Sequence, residues 1–335
     1  MNSFIIIFTA VIAFVVTAVL GVWLVPFLHK VKYGQVINDI GPTWHKNKQG
    51  TPTMGGILFI VGILVAVTAG YITYAFQNIG KSAEVEMNIV RLMAGLVMAL
   101  AFGFMGFIDD YIKVVRKRNL GLTAMQKIIM QTVISVLYLV TLYIRGDTST
   151  IILLPFLGQL DMGLLYYPTM LLFIIFLVNA VNLTDGIDGL CGSVTFVVSA
   201  AFLVIAGMLA NSEMSILAVA TAGAMIGYLI WNFYPAKVFM GDTGSMFLGG
   251  LVVSMGFGLG LPAFLIPIGI VYICEAGSVV LQVAGFKLTG KRIFKMSPIH
   301  HHFEMSGYSE KRIVALFSLV AAAGCIIAAL AVNRL

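Results

Sequence analysis

The strongest constraint on this chain is a recurrence of apolar runs, each about as long as a bilayer crossing. A hydrocarbon core about 30 Å thick takes about 20 predominantly apolar residues as helix, and only helices or closed barrels satisfy their own backbone inside lipid. Ten segments meet that test: 3–28, 53–76, 89–108, 125–144, 164–182, 191–210, 213–231, 243–260, 262–286 and 312–333. Charged residues make up 10% of the 335, against about 25% in ordinary soluble domains. That excludes the two or three soluble domains which length alone would allow. The expectation is an all-α polytopic integral membrane protein with about ten transmembrane helices, one domain over 1–335. The run from Phe4 to Pro26 exceeds a signal-peptide core and lacks a basic leader, so it reads as a retained first span. The fifth segment lacks clean edges near Tyr166-Tyr167-Pro168, and Pro262 and Pro267 predict a kink or break early in the ninth.

Charge placement orients the spans. With ten of them the loops alternate, and four of the 20 basic residues (Lys81, Arg91, Arg145 and Arg334) fall on one side while the other sixteen fall opposite. The positive-inside bias then puts both termini outside and the loops after spans 1, 3, 5, 7 and 9 in the cytoplasm. Asp39, Asp109, Asp110, Asp185, Asp188, Asp242, Glu304 and Glu310 share that side, while Glu275 is left within the ninth span. The outside loops are short or chemically bland. Cys191, Cys274 and Cys325 lie far apart in apolar settings, so no disulfide is expected. There is no internal repeat, and nothing in the sequence suggests a nucleic-acid partner.

Five cytoplasmic loops carry unusual chemistry. The third span closes on Phe107-Ile108-Asp109-Asp110-Tyr111, then meets Lys113, Arg116, Lys117 and Arg118. Carboxylates at a helix C-terminus and a membrane edge are unfavourable unless a cation offsets them; otherwise the pair marks where the helix leaves lipid. Neighbours on a helix point about 100° apart. One aspartate is therefore expected to face substrate and the other to support it by pairing with Lys113 or Lys127. Lys48 and Thr53 flank a Thr-Pro helix start with a glycine pair, which suits either an ordinary cap or an anion site. Asn182, Asp185 and Asp188 interrupt membrane-depth sequence with no basic residue beside them, more than turn formation requires. Asn232, Phe239 and Asp242 precede the eighth span, where Asp242 suits a helix cap or a Mg²⁺ ligand. The last loop carries Lys287, Lys291, Arg292 and Lys295 and then His300, His301 and His302. Three consecutive histidines cannot all face one ion, so they read as phosphate donors, or as part of a basic lipid-facing patch, rather than a zinc site.

These pieces together resemble the polyprenyl-phosphate N-acetylhexosamine-1-phosphate transferase superfamily and, within it, the phospho-N-acetylmuramoyl-pentapeptide transferases. TPTMGG at 51–56, FIDDY at 107–111, NLTDGIDGL at 182–190, FMGDTGS at 239–245 and PIHHHFE at 298–304 occur in that family's order without departure. PIHHHFE distinguishes this branch from relatives that transfer N-acetylglucosamine phosphate. The resemblance implies transfer of phospho-MurNAc-pentapeptide from UDP-MurNAc-pentapeptide to undecaprenyl phosphate, giving lipid I and UMP for peptidoglycan synthesis, with Mg²⁺ as cofactor. It implies a bacterial cytoplasmic-membrane location, membrane lipid as surroundings, and compatibility with a homodimer. Asp109, Asp110, Asp242 and His301 would form the catalytic set, with Asp242 the metal ligand and Asp109 favoured as the reactive carboxylate. Lys48, Thr53, Lys117, Lys127, Asn182, Asp185, Asp188, Asn232, Phe239, Gln282, His300 and His302 would line the nucleotide-sugar site, with Phe239 on uracil. The rival class is a secondary transporter, against which stand the absent inverted repeats and polar chemistry gathered on one face.

Overall fold

The computed structural model describes residues 2–30, 50–77, 83–116 and 120–334, with backbone alone at 77 and 83–86. Lys48 and Lys117, named above as site residues, lie outside the described residues. The long helices are α1 (Ser3–Lys30), α2 (Gly56–Gln77), α3 (Ala83–Val115), α4 (Ala124–Ile144), α5 (Tyr166–Thr184), α6 (Leu190–Met208), α7 (Ser212–Asn232) and α8 (Gly241–Gly258). The short α9 (Leu265–Ile268) is followed by α10 (Ile270–Thr289), α11 (Ile299–Glu304) and α12 (Glu310–Val332). Among the described residues, nine helices are long and apolar enough to cross a membrane by length and composition. The chain is therefore an all-α, multi-pass membrane protein.

The one expected span missing from those nine is α8, and its surroundings explain why. Every residue from Thr243 to Gly258 is buried, against α3, α5, α2, α7 and α6. A helix sheathed by other helices needs no lipid-facing stripe, so it can carry glycines and hydroxyls where a peripheral span cannot. At Gly106 of α3 a Cβ would run into the backbone of Asp242 and Thr243, so the two helices can meet there only at a glycine. The peripheral α1 shows the opposite pattern. Ile5, Thr9, Ala13, Thr17 and Gly21 form a narrow buried stripe at every fourth position, while Phe4, Ile7, Val11, Val15 and Trp23 face outward.

The ninth expected span breaks as its prolines predict. A 3₁₀ turn over Pro262–Phe264 leads into α9, and the chain re-enters helix as α10 after Gly269. A short antiparallel hairpin, β1 (Ile151–Leu154) with β2 (Gly158–Asp161), joins α4 to α5. The sequence reading did not anticipate it in a loop judged bland. At 33 residues and about 1.5 Å per residue, α3 is longer than a bilayer needs. Its last turns, with Asp109, Asp110 and Lys113, project to the end where the motif loops gather.

Candidate active site

The site is assembled on the N-terminus of α8. The segment before it, Val238–Met240, runs beside the start of α2: Phe239 N donates to Pro52 O at 2.8 Å, Gly55 N to Phe239 O at 2.8 Å and Gly56 N to Met240 O at 3.1 Å. This joins two of the motifs through backbone alone and buries Thr53 next to Gly241. Phe239 stays half-exposed. α3 supplies the adjacent carboxylates and α4 a lysine. The capping box of α4 fixes that lysine's approach, with Gln126 N donating to Thr123 Oγ1 at 3.3 Å and Thr123 N to Gln126 Oε1 at 2.9 Å.

The three aspartates come together, with one oxygen from each of Asp109, Asp110 and Asp242 lying within 4.8 Å of the others. Two ammonium groups offset them. Lys113 Nζ is 2.6 Å from Asp109 Oδ2 and 3.0 Å from Asp242 Oδ2. Lys127 Nζ is 3.2 Å and 2.9 Å from the same two oxygens. Asp109 Oδ1 accepts from Leu122 N at 2.7 Å. Asp242 Oδ1 accepts from Asn182 Nδ2 at 3.0 Å, and the same amide donates to Ser245 Oγ at 2.7 Å. The two lysines thus go to Asp109 and Asp242, whereas Asp110 turns to the start of α8, which corrects the expectation that the supporting aspartate of the pair would be the one bound to a lysine. Asp242 is the most accessible, its side chain 18% exposed against 1% for Asp109.

The loop from Asp185 to Gly189 closes one side. Asp188 is buried; its Oδ2 accepts from Ala236 N at 2.9 Å and its N–H donates to Glu310 Oε2 at 2.9 Å. Asn232 holds the same loop, accepting from Gly189 N at 3.1 Å and donating to Val238 O at 2.9 Å. Asp185 shares this corner. Burial first, then the nearby carboxylates of Asp242, Asp110 and Asp188, push its carboxyl up to about 8.

The remaining sequence-named residues sit on α10, α11 and the chain between them. Gln282 accepts from Ile293 N and Phe294 N at 3.0 and 2.9 Å and donates to Phe294 O at 2.9 Å, clamping that segment to α10. His302 Nδ1 accepts from Lys295 N at 3.1 Å. His301 Nδ1 meets Glu304 Oε2 at 2.6 Å, and buried His300 Nδ1 meets Glu275 Oε2 at 2.9 Å. Sequence reasoning did not single out Thr243, Ser245 or the carboxylates of Glu304 and Glu310 as site members. The first two lie inside a quoted motif, and Glu304 closes another.

Two ammonium groups can grip a phosphate, and three carboxylates give an all-oxygen donor set that suits a hard divalent cation. Residues 92–259 match the family model described as glycosyl transferase family 4. Residues 48–60 match phospho-N-acetylmuramoyl-pentapeptide-transferase signature 1. A phospho-N-acetylmuramoyl-pentapeptide-transferase of Clostridium perfringens (strain SM101 / Type A) is 44% identical over 324 residues, covering 96% of this chain and 95% of the relative.

The chain belongs to the phospho-N-acetylmuramoyl-pentapeptide transferase family.

Two further transferases of that name agree across nearly the whole length. That of Clostridioides difficile (strain 630) is 45% identical over 316 residues, 93% of each chain. That of Bacillus licheniformis is 42% identical over 313 residues, again 93% of each. As a member of this transferase family, the chain places the family's signature around α2 and the matched 92–259 region around α3 to α8. The three aspartates lie on α3 and α8, within the second of these regions.

Proposed function

We propose that the chain transfers phospho-MurNAc-pentapeptide from UDP-MurNAc-pentapeptide to undecaprenyl phosphate, yielding lipid I and UMP. The observation that carries this reading is the pairing of Asp109 and Asp242 with both Lys113 and Lys127 at the projecting end of α3. A soluble diphosphate and a lipid phosphate can meet only at such an edge. In the transfer, a phosphate oxygen of the lipid bonds to the sugar-linked phosphorus. The bridging P–O bond breaks, and its electrons leave on UMP.

Phosphoryl transfer of this kind rests on positioning and charge neutralisation. Lys113 and Lys127 are placed to shift from the carboxylates onto the incoming phosphates. Asp109 either accepts the lipid phosphate's remaining proton or attacks first, forming a covalent phospho-sugar intermediate. Asp242, with Asp109 within reach, would hold Mg²⁺; the fit rests on carboxylate oxygens that converge within 4.8 Å of one another. Bound there, Mg²⁺ supplies further charge neutralisation to the diphosphate. Phe239 would stack on uracil, and Asn182, Asp185 and the α11 histidines would border the nucleotide-sugar. The chain works as one domain with ten spans, both termini outside, and its site open to the bacterial cytoplasm.

Purified protein given UDP-MurNAc-pentapeptide, undecaprenyl phosphate and Mg²⁺ is expected to release UMP. Asp109→Asn is expected to lower kcat by orders of magnitude with little change in KM for the nucleotide-sugar. UMP exchange into UDP-sugar without lipid acceptor, lost in Asp109→Asn, identifies the covalent route; its absence in the wild type identifies direct attack. No UMP release from the wild type would overturn the function.

A further inference from the structure

An ionisable residue, Glu275, lies inside a span, apart from the catalytic cluster. Glu275, on α10, has no exposed surface, yet it is a carboxylate among Val271, Tyr272 and Ala276. A buried carboxylate is retained only when it is partnered. Its partner is His300 on α11, equally buried, with Nδ1 2.9 Å from Oε2. Taking the proton at Nδ1, where the carboxylate accepts it, leaves the imidazole oriented and its Nε2 on the far edge. That edge faces Gly186. A Cβ at Gly186 would overlap Nε2 and Cε1 of His300, so glycine is what lets the ring seat there. Gly186 stands between Asp185 and Asp188, and the His300 ring lies 4.1 Å from that of His301. One carboxylate within the membrane helix therefore sets a ring wedged between the aspartate loop and the second histidine.

We infer that Glu275 is a positioning residue: through His300 it fixes the 185–188 loop and His301 as one wall of the nucleotide-sugar site. This rests on the transferase reading above. A structural tether alone would lower the yield of folded protein and leave the substrates undistinguished. A positioning role affects one substrate selectively. Carboxylates that orient metal-ligating histidines matter by about 10–100-fold, and the same orienting hydrogen bond is made here.

The test is steady-state kinetics on the purified full chain, with UDP-MurNAc-pentapeptide and undecaprenyl phosphate varied separately. Glu275→Leu is expected to raise KM for the nucleotide-sugar on the order of tenfold, leaving KM for the lipid phosphate within about twofold. Glu275→Gln, whose amide oxygen still accepts from Nδ1–H, is expected to recover most of that loss. Gly186→Ala, which displaces the ring from its other side, should reproduce the selective rise, and it stands in if Glu275→Leu fails to accumulate. Unchanged kinetics in Glu275→Leu or in its stand-in, equal effects on both substrates, or no recovery with Gln would overturn the inference while leaving the transferase function standing. A wild type that releases no UMP overturns both.

Discussion

Asp110 caps α8 through Thr243: its Oδ2 accepts from Thr243 N at 2.9 Å and from Thr243 Oγ1 at 2.7 Å, while Oδ1 accepts from Asp242 N at 3.2 Å. Free N–H groups at a helix N-terminus and the positive end of its dipole favour a carboxylate there. The neighbouring carboxylates of α3 are thereby divided between tasks. Asp109 meets the lysines, and Asp110 fastens the helix that carries Asp242.

Removing the cap should therefore loosen Asp242 indirectly. Asp110→Ala is expected to cost about 1–3 kcal/mol of stability, read as a lower unfolding temperature in detergent, with turnover falling as well. Asp110→Asn keeps one acceptor and should lie between Ala and wild type. A stable Ala variant with normal turnover would show that α8 does not depend on this cap.

Asp242→Asn tests the metal assignment. Turnover is expected to fall below a tenth of wild type at saturating Mg²⁺. A ligand that binds only the folded state raises the unfolding temperature, so the wild type should be stabilised by Mg²⁺ and the variant should not. Equal stabilisation of both would place the ion elsewhere.

Asp185 gives a pH signature. With its folded value near 8 and an unfolded value of about 3.9, the folded chain holds a proton that the unfolded chain releases across this window. Stability from this group is highest at low pH, falls as pH rises from about 4 to about 8, and is flat above. Asp185→Asn lacks the titration, so its unfolding temperature should gain on that of wild type between pH 5 and pH 8. A constant or shrinking difference would count against the buried carboxyl.

Orientation can be read by labelling. In a background lacking Cys191, Cys274 and Cys325, an impermeant thiol reagent should modify Gln159→Cys on intact cells, and Lys291→Cys only after lysis. Both positions are exposed in the structure. The reverse pattern would invert the proposed topology.

Much of this was legible in the sequence because lipid imposes a simple rule of apolar length, and because carboxylates left in such a setting stand out. Asp109 and Asp242 stood out on those grounds, Lys127 as a candidate partner and Asn182 in a polar interruption, and the structure brings them together. What stayed hidden depends on pairing across the fold. α8 reads as a span, yet no pattern in its residues announces that it is enclosed on all sides. The hydrogen bonds by which the amides of Asn232 and Gln282 hold Gly189 and Val238, and Ile293 and Phe294, are of this kind. The α4–α5 hairpin has Pro155 and Gly158 at its turn but no alternation of apolar and polar residues, and pairs over only four residues per strand.

The enclosure of α8 has a consequence for how a site like this can diversify. The carboxylate at its tip is referenced to a helix buried along its length, packed against α3 where Gly106 admits the approach. The segment 290–298 is instead tied on by a few hydrogen bonds from single side chains. Substitutions there can reshape what is recognised without moving the origin from which the chemistry is measured. Substitutions along α8 have no such freedom, because every direction in which that helix could yield is already filled by another.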